Sequence, residues 1–144
     1  MKSEIKQKIE ILLSSANLRR TEARRAVLKV LLRADKPQTA YQIASELSTA
    51  CPDKVTIYRT IESFLAAGIV HKAFLQERTW HFELAENCSE DQCHPHFTCT
   101  SCGDTHCCTE MILPIVKSLP PKGFVIHHQR IQLEGLCPRC NLNQ

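Results

Sequence analysis

The chain has 144 residues, among them 18 Lys and Arg, 15 Asp and Glu, 7 His and 9 Cys, and its formal charge is +3. That length suits one domain or two small ones, and lobes of about 70 residues would be marginal alone and would favour a staple, a metal or a partner subunit. No apolar run approaches the roughly 18–20 residues of a membrane span, and the N-terminal MKSEIKQKIEILLSS lacks the apolar region of a signal peptide. The expectation is a cytoplasmic protein with no membrane partner. Its cysteines are then reduced and serve metal binding or redox chemistry, nine being an odd number for a closed disulfide set.

Charge and cysteine are unevenly divided. Residues 1–72 hold 13 Lys/Arg against 7 Asp/Glu, net +6, with one Cys and one His; residues 73–144 hold 5 against 8, net −3, with eight Cys and six His. Two lobes of different chemistry are expected.

In the basic half, Ile5, Ile9, Leu12 and Leu13 form one face of a helix over 4–15. Thr21 caps a second helix that buries Ala23, Val27, Val30 and Leu31 and breaks at Asp35-Lys36-Pro37. Thr39 opens a third, with Gln42 as its capping-box partner and Ile43, Ala44 and Leu47 inward. After the turn Cys51-Pro52-Asp53, a fourth runs from Lys54 to Ala67 with Ile57, Ile61, Phe64 and Leu65 inward and Gly68 as its C′ residue. Residues 69–76 and 79–85 then read as two strands around Gln76-Glu77-Arg78. Helices followed by a hairpin make the order of a winged helix-turn-helix, whose fourth helix enters the major groove of double-stranded DNA. Lys54, Thr56, Tyr58, Arg59 and Thr60 are its expected exposed residues, and Arg19, Arg20, Arg24 and Arg25 are expected on phosphates. The same periodicity also fits a plain helical bundle with a solvated basic face.

In the acidic half, Cys99-x-x-Cys102-Gly103 and Cys137-x-x-Cys140 are the strongest signal in the chain. Two such pairs can bring four thiolates to a tetrahedral Zn²⁺ with bonds of about 2.3 Å. The 34 residues between the pairs hold a helix candidate over 109–119 and a strand candidate over 124–134. Beside this set lie Glu83, Cys88, Cys93, His94, His96, His106, Cys107 and Cys108, donors enough for a second metal site. A strand through His94-Pro95-His96 would put both imidazoles on one face. His127 and His128 read as surface residues, His81 as a wing residue and Cys51 as a small buried or loop residue. An oxidoreductase would need a thioredoxin-like βαβ pattern around its Cys-x-x-Cys, and a hydrolase a general base beside an open metal position. Neither is identifiable, so no enzyme activity and no small-molecule substrate are expected.

Four stretches, LRRTEARRAVLKVLL, DKVTIYRTIESFLAAGIV, HPHFTCTSCG and GLCPRC, resemble the ferric uptake regulator (Fur) family of metal-dependent repressors and together span nearly the whole chain. The resemblance implies an α+β fold: an N-terminal winged helix-turn-helix DNA-binding domain over 1–84, a hinge at 85–87 and a small C-terminal α/β dimerisation domain over 88–144. It implies a homodimer on palindromic operator DNA, with Tyr58 and Arg59 facing the duplex. It implies structural Zn²⁺ on Cys99, Cys102, Cys137 and Cys140, and a regulatory metal at the hinge held by Glu83, His94 and His96. Cys88 resembles the cysteine ligand of zinc-sensing members, and Cys107 stands where a carboxylate is expected. Iron- and peroxide-sensing members often add a His from just before the third helix, where this chain has Asp35-Lys36-Pro37-Gln38. Soft thiolate favours Zn²⁺ over Fe²⁺ and Mn²⁺. The resemblance therefore points to the zinc uptake regulator branch, with an iron- or peroxide-responsive regulator as the alternative. A further metal site of some members has Pro95, Pro114 and Gln129 at its positions here and is expected to be missing; Cys93 and Cys107 stand as extra regulatory candidates.

Overall fold

The structure, a computed structural model, describes residues 2–48, 52–87, 94–111, 122–126 and 129–143. The chain divides into two compact units, one ending at Glu86 and the other beginning at Asn87. No helix among the described residues is long and apolar enough to cross a membrane.

The first unit runs α1 (Lys2–Ser15), α2 (Glu22–Arg33), β1 (Gln38–Thr39), α3 (Ala40–Glu46), α4 (Lys54–Ala66), β2 (Val70–Gln76) and β3 (Thr79–Leu84); a 3-10 turn, Ala85–Asn87, follows. The helix ends have chemical causes. The Thr21 side chain accepts from the Arg24 N–H, and Thr39 and Gln42 make a reciprocal capping box. Asp53 accepts from the Thr56 N–H at 2.9 Å and from the Thr56 hydroxyl at 3.0 Å. First-turn N–H groups that lack an intrahelical acceptor are satisfied in this way. α4 stops in a Schellman turn: the Gly68 N–H donates to Leu65 O and the Ile69 N–H to Phe64 O, with Gly68 at φ +70°.

Leu13, Val27, Leu28, Ile43, Ile57, Phe64 and Val70 are fully buried and come from α1, α2, α3, α4 and β2. Each such side chain contributes roughly 1.5–3 kcal/mol over an exposed one. Leu28 belongs to this core, whereas Ala23, expected in it, is only partly buried. The sheet has the antiparallel order β1-β3-β2. Its first strand was not foreseen, since two residues carry no readable period; Gln38 pairs with Phe82 and Thr39 with His81. A bulge between Lys72 and Phe74 interrupts the β2–β3 ladder, and the hairpin closes through Glu77 and Arg78 at φ 48° and 63°. A left-handed conformation costs an L-residue roughly 1–2 kcal/mol.

The second unit holds β4 (His96–Cys99), β5 (Thr105–Cys107), β6 (Gln132–Gly135) and the short α5 (Pro138–Asn141). β4 is central, antiparallel to β5 and parallel to β6, with Cys99 opposite Gly135. A Cβ at Gly135 would stand 3.3 Å from a Phe97 ring carbon, so glycine suits this close approach. Among the described residues, the strand expected over 124–134 is present as Gln132–Gly135 and as an isolated bridge at Gln129. Phe124, Val125 and Ile126 are exposed, and among the described residues no strand pairs with them. His94 and Pro95 precede β4 instead of lying in it, since proline has no N–H for a ladder. Of the helix expected over 109–119, Thr109 and Glu110 form a turn and residues 112–119 lie outside the described residues, as do Cys51, Cys88, Cys93, Pro114, His127 and His128.

Candidate metal centre and nucleic-acid interface

The parallel β4–β6 pairing brings the two Cys-x-x-Cys turns together. The sulfurs of Cys99, Cys102, Cys137 and Cys140 all lie within 4.8 Å of one another, with Cys102 Sγ and Cys137 Sγ 3.9 Å apart. A tetrahedron of four sulfurs about a centre at 2.3 Å has edges of about 3.8 Å, whereas a disulfide needs about 2.05 Å. The four thiols therefore fit one Zn²⁺ and are unbridged. Backbone N–H groups, first that of Cys102 and then that of Cys137, bring the Cys99 thiol down to about 6. At Cys140 the Ser101 hydroxyl acts to lower the pKa, but Cys137, burial, Cys102 and Cys99 outweigh it and hold the thiol at about 11. Arg139 hydrogen-bonds Cys102, which raises its own pKa, and lies 3.5 Å from Asp104. Its charge opposes the net −2 that four thiolates and one Zn²⁺ would carry.

The other predicted metal residues are distributed over both units. In the first, Glu83 on β3 is registered with His71 on β2, and His71 Nε2 is 2.7 Å from Glu83 Oε1. Sequence reasoning passed over His71. Its signal was a lone histidine in the basic half, on a strand that alternates against Glu83. In the second unit, the His94 and His96 rings are 4.5 Å apart and tilted by 46°, with His96 fully buried. Cys107, on β5, is the cross-strand partner of His96 and is exposed; directly opposed residues of an antiparallel pair share a face. Cys108 lies past the end of β5, its N–H on Pro95 O. His106 is exposed and opposite Phe97.

On α4, Lys54, Val55, Tyr58 and Arg59 are exposed near the N-terminus. The Thr56 hydroxyl is spent on Asp53, whose carboxyl is held below its ordinary range first by the Thr56 N–H. Thr60, expected to be exposed, is buried, because it continues the Ile57–Ile61–Phe64 face. Two exposed side chains escaped the sequence reading. Val55 is an apolar residue off the inward face, and Tyr41 is 66% exposed with Lys54 Nζ 5.9 Å from its ring centre. Of the four arginines, Arg25 places Nε 2.7 Å from Glu10 and a second nitrogen 2.9 Å from Glu22. Arg20 Nε lies 3.2 Å from Glu10, and Arg24 donates to Arg19 O. Arg25, by hydrogen bond and then by charge, holds the Glu10 carboxyl below its ordinary range. Arg20 and Arg25 thus brace α1 against α2, while Arg19 and Arg20 keep surface exposure. In the hairpin, Phe74 stacks on His81 at 4.3 Å and Lys72 Nζ sits 4.9 Å from the Trp80 ring centre. Burial lowers the pKa of His81, the residue read as part of the wing.

Comparison with known proteins follows the same lines. The model of the "Ferric uptake regulator family" matches residues 15–134. The zinc uptake regulation protein of Escherichia coli (strain K12) is 30% identical over 143 residues, covering 95% of this chain and 81% of that protein. The peroxide operon regulator of Bacillus subtilis (strain 168) is 26% identical over 142 residues, covering 96% and 94%. A solved zinc uptake regulator complexed with zinc and DNA superposes with a TM-score of 0.68 at 24% identity, covering 98% of this chain and 95% of that one.

Proposed function

The chain belongs to the ferric uptake regulator family, and we propose that within it this is a zinc-responsive repressor, binding palindromic operators as a homodimer in the cytoplasm. It is a metal-responsive transcriptional regulator and not an enzyme. The similarity to a zinc uptake regulation protein over 95% of the chain carries the zinc reading. The thiol-rich donor set supports it, since thiolate prefers Zn²⁺ to Fe²⁺ or Mn²⁺.

In this reading residues 1–84 bind DNA, 85–87 form the hinge and 88–144 dimerise. Lys54, Tyr58 and Arg59 of α4 read base edges and phosphates, Thr56 fixes the helix start, and Arg19, Arg20, Arg24 and Arg25 set the basic surface of α1 and α2. Cys99, Cys102, Cys137 and Cys140 hold the structural zinc, which when bound cross-links the two ends of the second unit. Glu83, Cys88, His94 and His96 hold the regulatory zinc. His71 orients the Glu83 carboxylate or joins the set, as partners of ligating side chains do. Cys93 and Cys107 complete the reserve of donors, Cys107 from its place opposite His96. Ligands drawn from both domains restrict their arrangement. Binding the DNA-competent arrangement about 100-fold better supplies a coupling of roughly 2.7 kcal/mol.

Zinc titrated into the protein with operator DNA tests this: operator affinity should rise as the exchangeable zinc binds, and equal affinity with and without it would overturn the reading. His96→Ala should leave a dimer that no longer responds to metal. A second reading, an iron- or peroxide-responsive regulator, is favoured by the similarity to the peroxide operon regulator. Exchangeable Fe²⁺ with operator release by peroxide would select it.

A further inference from the structure

Between α1 and α2 of the first unit lies a cavity of about 480 Å³, lined also by Leu47, the C-cap of α3. Pockets of that size hold small molecules. Its apolar lining is Ile5 and Ile9 of α1, Ala26 of α2 and Leu47. Ile5 and Ala26 are only half-buried, so apolar surface there still meets water. The charged lining is uneven. Arg25 is occupied: its guanidinium lies 2.7 Å from Glu10 and 2.9 Å from Glu22, and both carboxylates line the same cavity. Lys6, Lys29 and Arg33 line it too, are exposed, and make no ion pair among the described residues. The lining thus carries a net charge of +2. Arg25, Lys29 and Arg33 stand four residues apart on α2 and share one face, so the two unpaired cations continue the row past the neutralised one.

We propose that this cavity binds a free anionic amphiphile, a medium-chain carboxylate whose head pairs with Lys29 and Arg33 and whose chain covers Ile5, Ile9, Ala26 and Leu47. Each half of that ligand answers an observation. An apolar body removes the open apolar surface from water. The head is set by charge: two cations one helical turn apart, about 6 Å along the axis, can converge on one carboxylate while their apolar stems lie along the walls. A bare phosphate would engage the cations and leave the apolar floor wet. A neutral alcohol would cover the floor and leave the cations unmet. Glu10 and Glu22 repel a second anionic group, which favours a single head over a dicarboxylate. The site lies wholly within the first unit and depends on neither the metal nor the operator.

Calorimetric titration of the full zinc-loaded protein with decanoate, decanol, acetate and inorganic phosphate tests this. Decanoate should bind once per chain and about 10-fold tighter than decanol, acetate and phosphate should give no saturable heat, and the methyl resonances of Ile5, Ile9 and Leu47 should move with decanoate. Lys29→Glu combined with Arg33→Glu should cut decanoate affinity about 10-fold and leave decanol affinity unchanged; both side chains are exposed, and an unaltered melting temperature checks that the fold holds. Ala26→Phe, which fills the floor, should weaken both ligands. Decanol bound as tightly as decanoate, decanoate affinity unchanged in the charge variant, or no saturable decanoate binding would each overturn the inference. Adsorption to phosphatidylglycerol vesicles without binding of free decanoate would overturn it in favour of a lipid surface.

Discussion

In the first unit, apolar side chains from α1, α2, α3, α4, β2 and β3 meet in one core. In the second, the buried side chains among the described residues are Pro95, His96, Thr98, Cys99, Thr105 and Cys137. One unit is held by area removed from water, which depends on neither metal nor pH. The other has a short sheet and four converging sulfurs, and a metal bound there would add to its stability. The contrast separates a unit whose apolar core needs no metal from one that gathers four thiols in place of such a core.

The largest expected effect comes from breaking the sulfur cluster. Cys99→Ser should cost the second unit its zinc and its compact fold and should abolish dimerisation. Limited proteolysis should then remove residues after the hinge while a fragment near 1–86 survives. Survival of both units, or loss of both, would erase the contrast. Next, Phe64→Ala should cost the first unit about 3–5 kcal/mol in denaturant unfolding and leave zinc content unchanged. Thr39→Ala, which dissolves the α3 capping box, should cost about 1 kcal/mol by the same measurement.

The smallest effects are in pH. Cys99 in the metal-free chain has a folded pKa of about 6 against an ordinary 9.0. A depressed pKa adds stability above the unfolded value, and that stability is lost as pH falls through about 6. Denaturant unfolding of the metal-free protein followed against pH should show that loss near pH 6 in the second unit. Asp53 has the same sign in the first unit, so its contribution fades as the pH falls through the carboxylate range, and Asp53→Ala should flatten the acid limb.

Much of the first unit was legible because its signals are local. The capping box at Thr39–Gln42, the Thr21 cap and Gly68 each act within a few residues. β1 was not legible, because Gln38 and Thr39 become a strand only by pairing with Phe82 and His81. The four cysteines were legible through their spacing. His71 was not, since its partnership with Glu83 depends on the β2–β3 register and on no motif. The apolar run Phe124–Ile126 misled for the opposite reason: it has strand composition, but composition does not supply a neighbouring ladder.

The parallel contact of β4 with β6 also dictates an order of events during synthesis. In the first unit the β2–β3 hairpin joins neighbours in sequence and can close as it emerges from the ribosome, whereas β1 must wait for β3. Residues 96–99 must wait for residues 132–135, a long loop to close before any pairing is gained. The first cysteine pair is therefore made well before its partners exist. The newborn chain thus carries the whole first unit and two thiols without their partners at the same moment, so a metal held by all four sulfurs would be captured only after the second pair is made.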